Sequence, residues 1–387
     1  MISSSDSTTS YEEESLPRDV ILEILSRLPP ENLLNFRSVC RSWLSIIRDA
    51  KFIAKSNLRN ENTNGRIIII TEEYPNPYRG LKLRILSDTN PAIIQDNTKL
   101  VSAHNKSMIG YYRVMSTCNG LFCYAGVQDD YGIQLCNPCG RWATSIRQIR
   151  FTNYLNKELY YGVGYDPLTN DYKVIKLMPP ANWTSPPTEA AIYSVKAKIW
   201  KRLNDRLPSE TPSGRSIFLH GNIHWLAKTV SPPFKIEFIM LFDVCDEVFG
   251  EIELPEIDER NKYTSISVVK GLLCLLVTEI CADNRICHVW MMKEYGVVES
   301  WTKQCTVALR KDITTCIEVT PGGKIMCSIE SNAEGNGKML YVERTPSKLV
   351  LYDPETDQYR NAGETLPFRP AFSLEASLEL VDGSGAI

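Results

Sequence analysis

The sequence predicts a mostly β protein with a small helical module near its N-terminal end. Helical periodicity is confined to residues 15–59, where prolines enclose a short apolar stripe. After residue 65 the chain becomes a series of short apolar runs separated by turn residues. Similar turns recur roughly every 30 to 50 residues, a spacing typical of propeller blades. We therefore expect three helices followed by a β-propeller-like domain of about six or seven blades over residues 65–380.

Composition limits the classes of partner. The chain has 387 residues, a formal net charge of −3 and 43% hydrophobic residues, which provides no overall positive field for nucleic acid or a membrane surface. Residues 1–14 are rich in Ser, Thr and Glu and are expected to be disordered. They lack the pattern of a signal peptide, and no apolar run is long enough to span a bilayer. We expect a cytoplasmic or nuclear protein that binds neither nucleic acid nor membranes.

The first helix is predicted where prolines enclose an apolar stripe. Leu16 and Pro17 open it, and Pro29 with the next proline is expected to stop it. The stripe consists of apolar residues at helical spacing: Val20, Ile21, Ile24, Leu25 and Leu28. Two further helices are predicted over about 31–39 and 41–49. About forty residues are near the lower limit for an unaided core, so leftover apolar surface here would suit a docking face.

Residues 16–47, LPRDVILEILSRLPPENLLNFRSVCRSWLSII, resemble the F-box in length, order and residue type. The resemblance implies binding to the Skp adaptor of SCF-type ubiquitin ligases, and through it to the cullin and RING subunits. It also implies which residues form the Skp-facing surface or its support: Leu16, Pro17, Val20, Ile24, Leu28, Pro29, Leu33, Leu34, Val39, Cys40 and Trp43. For Trp43 and Ile24 a core position is an equal alternative, whereas for Leu16, Pro17 and Leu33 we favour the interface.

Two kinds of turn recur in the β region. GYDPLTNDYKVI (164–175) and LYDPETDQYRNA (351–362) share Y-D-P-x-T-x-x-Y, and looser copies follow Asn137, Ser194 and Asp243. Asp or Asn can bind the turn backbone and proline sets its dihedral angle, so each copy predicts a β-hairpin with an aromatic residue on the returning strand. The second kind places a glycine suited to positive φ before an apolar strand, at Gly120, Gly221 and Gly271.

A second resemblance covers about residues 110–310, and more weakly the remainder. STCNGLFCY, YGVGYDPLTNDYKVIKL, VVKGLLCLL and VWMMKEYGVVESWTK follow one another in the order of the F-box-associated interaction domain of plant F-box proteins. It implies a plant origin and a propeller-like domain that recruits a target protein. Cys136 and Cys139 depart from the usual hairpin, and 65–110 is poorly matched. The kelch Gly-Gly signature is not repeated and the WD dipeptide is absent, so a pair of β-sandwiches is the alternative fold.

The sequence lacks the motifs of common catalytic sites, including G-x-S-x-G, H-E-x-x-H and G-x-x-x-x-G-K-[ST]. Cys136 and Cys139 form a C-x-x-C with no second pair at zinc-finger spacing. His220 and His224 lie on an expected hairpin, where helical ligand spacing does not apply. We therefore expect buried reduced thiols, no metal, no cofactor and a non-catalytic adaptor subunit.

Three residues are candidate contacts for the target protein. Arg141 and Arg147 belong to a basic cluster that would suit an acidic partner, although the solvated face of an edge strand explains such residues better. A second basic cluster, Lys196 to Arg206, is open to the same two interpretations. Trp183 lies among prolines in the predicted loop 178–190, and loop tryptophans are frequent binding hot spots.

Together these features predict the substrate-recognition subunit of an SCF ubiquitin ligase. The helical module would dock the Skp adaptor and the β domain would hold an unknown target protein. One alternative is a β-propeller enzyme or small-molecule receptor, which needs convergent carboxylates or histidines at one end of a central funnel. Another is a Skp-bound scaffold that directs no target to degradation.

Overall fold

The structure is a computed structural model of the chain. It describes the following residues: 16–28, 30–47, 49, 52, 66–72, 80–87, 93–102, 112–126, 132–137, 142–147, 149, 159–178, 189–203, 211–228, 236–257, 262–280, 284–320, 322–329, 347–365 and 385–386.

The helices of the described residues lie at the start of the chain. They are α1, Arg18–Leu25; α2, Pro30–Phe36; and α3, Arg41–Ile47. Pro17 occupies the N-cap position of α1 and Pro30 is the first residue of α2, where a missing N–H is tolerated. Their side chains enclose a small core: Leu25, Leu33, Ile46, Ile47 and Phe52. The three predicted helices are confirmed.

The end of α1 differs from the prediction. The helix ends at Leu25, so Leu28 lies beyond it and the proline pair is not its immediate stop. The Ser26 hydroxyl donates a hydrogen bond of 3.0 Å to the Glu23 carbonyl oxygen, a local contact by which serine competes with helical bonding. The sequence pattern overlooked this contact because the apolar spacing continues to Leu28.

Among the described residues, six antiparallel units follow in chain order, which we call blades I to VI. Blade I contains β1, Arg66–Glu72; β2, Gly80–Ser87; and β3, Ile93–Ser102. Blade II contains β4, Tyr112–Cys118; β5, Leu121–Gly126; β6, Ile133–Asn137; and β7, Trp142–Ile146. Blade III contains β8, Tyr160–Asp166; β9, Asp171–Met178; β10, Glu189–Ser194; and β11, Ile199–Arg202.

The last three blades repeat the four-stranded order. Blade IV contains β12, Thr211–Leu219; β13, Asn222–Lys228; β14, Ile236–Asp243; and β15, Val248–Glu253. Blade V contains β16, Lys262–Val269; β17, Leu272–Ile280; β18, Arg285–Met292; and β19, Trp301–Leu309. Blade VI contains β20, Ile313–Val319; β21, Ile325–Ile329; β22, Ser347–Asp353; and β23, Gln358–Thr365. The expectation of a mostly β chain with a few N-terminal helices is confirmed.

Blades II and IV are joined into one nine-stranded sheet. Their first strands, β4 and β12, pair in parallel, with Ser116 opposite Ser216. A short strand near the C-terminal end, β24 (Gly385–Ala386), pairs with β7. Parallel pairing of two first strands requires the two blades to run in the same sense, as blades of a propeller do.

Inner strands β4, β8 and β12 meet in a packed hub. The buried Ser116 hydroxyl accepts a hydrogen bond of 2.9 Å from the Val163 amide, and the buried Ser216 hydroxyl donates one of 3.0 Å to the Tyr161 carbonyl oxygen. A Cβ added at Gly162 would lie 2.6 Å from side-chain atoms of both Ile223 and Trp225. This close approach explains why a residue without a side chain occupies the centre of β8.

The cysteines are free thiols throughout the described residues, and most of them are buried. Cys139 and Cys281 lie outside those residues. Cys40 is exposed, and Cys245 and Cys305 are half-buried, so the expectation of buried thiols fits the other described cysteines only. In the same part of the chain, no helix is long and apolar enough to cross a membrane.

Candidate functional sites

The helical module exposes large apolar side chains along α1. Leu16, Val20 and Ile24 are 58%, 41% and 48% exposed, and we call these three residues the exposed stripe. Residues four apart lie on the same helical face, so Val20 and Ile24 are neighbours, whereas Leu25 turns into the core. Val39, beyond α2, is also exposed. A module with so small a core leaves this surface for a partner to cover.

The remaining predicted adaptor contacts divide between surface and core. Pro17 and Cys40 are exposed, and Leu28 is half-buried. Trp43 is half-buried and packs edge-to-face on Phe36, with ring centroids 5.5 Å apart. Pro29 and the side chain of Leu34 lie outside the described residues.

Leu33 requires a correction. Its side chain is fully buried in the core of the module, whereas the sequence favoured an interface position. It therefore supports the surface from within, because a side chain with no exposed area cannot contact a partner unless the module opens. Adaptor contact by the other ten residues stays a prediction.

Four hairpins of the β domain share one turn structure. Each places a residue with positive φ at its fifth position: Asn170, Lys198, Glu247 and Asp357. Each pairs two aromatic rings across the strands, with centroids 4.7 to 5.2 Å apart: Tyr165–Tyr172, Tyr193–Trp200, Phe242–Phe249 and Tyr352–Tyr359. A fifth hairpin pairs Asn137 with Trp142. The hairpins predicted from the Y-D-P-x-T-x-x-Y pattern and its looser copies are confirmed.

The glycine turns are also confirmed. Positive φ occurs at both central residues of three two-residue turns: Asn119–Gly120, His220–Gly221 and Lys270–Gly271. Two successive positive φ angles define a type I′ turn, whose twist matches that of the flanking strands. In each of these blades the turn joins the first two strands, at the same end as the turn between the last two.

Three neighbouring turns are bonded into one unit, which we call the turn platform: residues 166–171 and 194–198 of blade III and 243–247 of blade IV. The Asp171 carboxylate accepts hydrogen bonds from the Ser194 hydroxyl and, at 2.8 Å, from the Lys196 amide. The Cys245 thiol donates to Asp166 at 3.3 Å. These bonds cross from turn to turn, so the three turns hold a fixed relative position.

A buried ammonium group completes the platform. Lys173 Nζ lies 3.0 Å from an oxygen of Asp166 and 3.2 Å from one of Glu247, and it donates at 2.9 Å to the Val244 carbonyl oxygen. The side chains of Lys173 and Asp166 are 11% and 3% exposed. These ion pairs and hydrogen bonds hold the three charged groups in place. Removal of Lys173 would leave the buried Asp166 carboxylate without a cation.

The pKa directions agree with this pairing. Burial alone would raise the pKa of Asp166, but hydrogen bonds from Thr169, Lys173 and Cys245 outweigh it and hold that pKa well below its usual range. Burial would lower the pKa of Lys173, and its bonds to the two carboxylates raise it instead. The platform carboxylates Asp166 and Glu247 are therefore ionised and directed inward.

The outward surface of the platform is apolar and basic. Leu168, in the first of these turns, is 84% exposed, and Ile199, the residue directly after the second, is 63% exposed. Lys196, Lys198 and Lys201 are exposed beside them. Lys196 Nζ donates to the Thr169 carbonyl oxygen at 2.8 Å, and Lys201 Nζ lies 2.6 Å from Glu247.

A histidine–tyrosine cluster was missed by sequence reasoning. The His224 ring nitrogen Nε2 lies 2.7 Å from the Tyr295 hydroxyl, and the ring of His220 lies edge-on to Tyr295 at 4.9 Å. Burial lowers the pKa of His224 to about 4 and raises that of Tyr295 to about 12, so both are neutral near pH 7. The cluster fixes the turn 293–300 of blade V to the first turn of blade IV. Tyr295 lies far away in sequence, so the spacing of the two histidines could not reveal it.

The predicted target contacts are only partly described. Arg141 and Trp183 lie outside the described residues. Arg147 is exposed, and its carbonyl oxygen accepts a hydrogen bond of 2.6 Å from the Trp200 indole nitrogen. In the second basic cluster, Arg202 pairs with Glu189 and Lys201 pairs with Glu247, as expected for the solvated edge of a sheet. Target contact by Arg141, Arg147 and Trp183 stays a prediction.

Charged groups on the inner strands bond to each other. Arg215 of β12 lies 2.6 Å from Glu318 of β20, with both side chains about one-tenth exposed. The same guanidinium donates to the Ile317 carbonyl oxygen at 3.2 Å. Within the described residues no group of three or more His, Cys, Asp or Glu could hold a metal ion. Arg215 and Glu318 therefore hold these inner strands together.

Two families of known proteins match this chain. Residues 14–55 match the F-box domain, and residues 77–361 match the F-box associated beta propeller domain. The second match covers most of the chain and begins earlier than residue 110, so it includes part of the stretch that had seemed poorly matched. The chain belongs to the F-box-associated β-propeller family. The exposed stripe thus lies in its F-box, and the turn platform lies in its propeller domain.

Individual relatives agree with this assignment. An F-box/kelch-repeat protein of Arabidopsis thaliana is 28% identical over 350 residues, which cover 86% of this chain and 91% of the relative. An F-box protein of the same plant is 26% identical over 384 residues, covering 90% and 87% of the two chains. The resemblance to plant F-box proteins and the propeller-like fold are confirmed. The F-box implies binding to a Skp-type adaptor.

Proposed function

We propose that this F-box protein is the substrate-recognition subunit of an SCF-type ubiquitin ligase. The exposed stripe supports this most directly, because the F-box has too small a core to cover Leu16, Val20 and Ile24 itself. The Skp-type adaptor would cover them and connect the chain to the cullin and RING subunits. The propeller domain would hold the target protein.

The proposed mechanism is proximity without chemistry by this chain. A receptor that binds both the ligase and a target raises the effective concentration of the target near the ubiquitin-charged enzyme. The subunit itself is an adaptor with no catalytic residue. We keep the expected cytoplasmic or nuclear location as a prediction, which a fluorescent fusion expressed in plant cells would test.

Co-purification with a recombinant plant Skp-type adaptor tests the proposal. We expect the full chain to retain the adaptor, and the double variant Leu16→Ala with Pro17→Ala to lose it. A matched control is Leu168→Ala, which truncates an exposed leucine of the propeller domain and should bind normally. Undiminished adaptor binding after deletion of residues 1–60 would refute the proposal.

A second experiment separates a degradative receptor from a passive scaffold. Stable interactors of the full chain are compared by quantitative proteomics with and without a proteasome inhibitor. A receptor predicts at least one interactor that accumulates with the inhibitor and not with the adaptor-deficient variant. Unchanged levels of every interactor would favour the scaffold.

A further inference from the structure

We propose that the turn platform is a docking surface for an acidic segment of a partner protein that also presents an apolar side chain. This deepens the proposed function, because it rests on the propeller domain being the target-binding part. It names the surface used and the chemistry of the target.

Few large apolar side chains are exposed in the described part of the β domain. In the β domain, the large apolar residues exposed among the described residues are Leu168, Ile199 and Val297. Leu168 lies in the platform, and Ile199 is the first residue of β11, directly after the platform turn 194–198. The two turns are bonded to each other through Asp171 and Lys196. An isolated exposed leucine is ordinary, but two large apolar side chains exposed at bonded turns favour a shared surface.

The turns of the platform are held rigidly relative to each other. The residues that carry Leu168 and Ile199 cannot move independently, because Asp171 bonds the turn 194–198 and Asp166 bonds the turn 243–247. The platform is therefore organised before any partner arrives. Binding then loses less conformational entropy at the surface, which favours affinity.

The exposed charged side chains of the platform are mainly basic. Carboxylates of the platform are used internally: Asp166 and Glu247 by Lys173, and Asp171 by the turn backbone. Lys196 and Lys198 are exposed, whereas the exposed Lys201 is already paired with Glu247, and the exposed acidic residue of the three turns is Asp246. An outward surface with apolar anchors and surplus positive charge is complementary to an acidic, apolar segment.

These residues were ambiguous in the sequence. The sequence favoured the solvated face of an edge strand for Lys196, Lys198 and Lys201, and nothing marked Leu168. Only the fold brings the turn of β8 and β9 beside the turn of β10 and β11. The proposed surface does not include Trp183.

The test uses the full chain in complex with a Skp-type adaptor. The probe is an array of short synthetic peptides in which one Leu or Phe is flanked by Asp and Glu, each beside copies with Lys or Ser at the acidic positions. We expect selective binding of the acidic, apolar peptides, and weakening of that binding as salt is raised. Equal binding of the acidic and the Lys-containing sets would overturn the proposal.

Surface variants locate the binding. Leu168→Ser with Ile199→Ser should weaken the selected peptides at least tenfold, and Lys196→Glu with Lys198→Glu should weaken the acidic peptides and favour the basic ones. The matched controls are Val297→Ser and Lys348→Glu, which alter an exposed apolar and an exposed basic residue elsewhere in the domain. Equal losses in the controls and the platform variants would overturn the proposal.

Adaptor co-purification is measured on the same samples. Every platform variant should bind the adaptor as the wild type does, because the F-box is unchanged, and this also confirms an intact complex. Loss of adaptor binding by the wild type would refute the SCF proposal. Intact adaptor binding with no peptide preference would refute only the platform.

Discussion

The F-box and the propeller domain both expose large apolar side chains, but they do so in different ways. In the F-box, Leu16, Val20 and Ile24 follow one side of α1. In the propeller domain, the exposed residues Leu168, Ile199 and Val297 lie in turns or next to them. The F-box therefore exposes these side chains along one helix, whereas the propeller domain exposes them at turns.

The difference follows from how each region closes its core. Helices of seven or eight residues bury one side on each other, and the opposite sides remain for a partner. In the blades, most large apolar side chains of the strands are buried, so those that stay exposed lie in turns or next to them. A surface that must meet one common adaptor can be built into a helix, while turns can vary without disturbing the blades.

Charging the exposed stripe should have the largest effect on adaptor binding. Val20→Asp with Ile24→Asp should reduce adaptor affinity roughly a thousandfold, about 4 kcal/mol, because two apolar contacts would become buried charges. The stability of the F-box should change little, since both positions face outward. Titration calorimetry against the isolated adaptor measures the loss.

The matched control introduces the same charges at two exposed apolar residues of the propeller domain. Leu168→Asp with Ile199→Asp introduces the same chemistry on side chains that are at least as exposed. Adaptor affinity should stay within a factor of two. If both double variants lose affinity alike, the F-box stripe is not the adaptor surface.

The sequence was informative wherever local chemistry determines local structure. The Y-D-P-x-T-x-x-Y copies predicted their hairpins because Asp binds the turn and the aromatic pair closes the strands. Gly271 predicted its turn because the backbone needs positive φ there. Helical spacing likewise placed Val20 and Ile24 on one side of α1.

The sequence was uninformative where distant segments meet. Lys173 bonds Asp166 and Glu247, which no periodicity connects, and Tyr295 reaches His224 from another blade. Leu33 was misassigned for the same reason, since its burial depends on α3 as much as on α2. Docking surfaces on the propeller domain are assembled from such contacts, so only the fold could reveal the platform.

Removing the buried ammonium group probes the platform itself. Lys173→Met should lower the free energy of unfolding by about 3 kcal/mol, because the Asp166 carboxylate would remain buried without its cation. Urea denaturation followed by tryptophan fluorescence measures it. Lys201→Met is the matched control, since Lys201 also pairs with Glu247 but is 67% exposed, and its effect should be near 0.5 kcal/mol. Equal effects would show that the platform is not held by the buried group.

Acid should weaken the propeller domain through His224. Its folded-state pKa is about 4, below its ordinary value of 6.5, so the unfolded chain binds the proton more tightly. The contribution to stability is therefore complete above pH 6.5 and is lost as the pH falls towards 4. Between pH 7 and pH 5 the loss should be about 2 kcal/mol.

Denaturation of His224→Gln at both pH values checks this prediction. The variant should lose correspondingly less stability on acidification, because it carries no titrating ring. Tyr295→Phe should keep the pH dependence of the wild type, since burial causes most of the pKa shift. An unchanged pH dependence in His224→Gln would mean that another group is responsible.

The smallest effect concerns a single turn of the propeller domain. Lys270 has a φ of 49° in the type I′ turn Lys270–Gly271, a conformation that asparagine adopts more easily. Lys270→Asn should therefore raise the free energy of unfolding by about 0.5 kcal/mol, measured by urea denaturation, without any change in adaptor affinity. The opposite substitution, Asn119→Lys in the matching turn of blade II, should destabilise the domain, and also removes a 3.5 Å contact to the Tyr172 hydroxyl. A loss of stability in Lys270→Asn would mean that the positive φ of this residue does not limit the stability of blade V. The turns of this blade could then not vary independently of its strands.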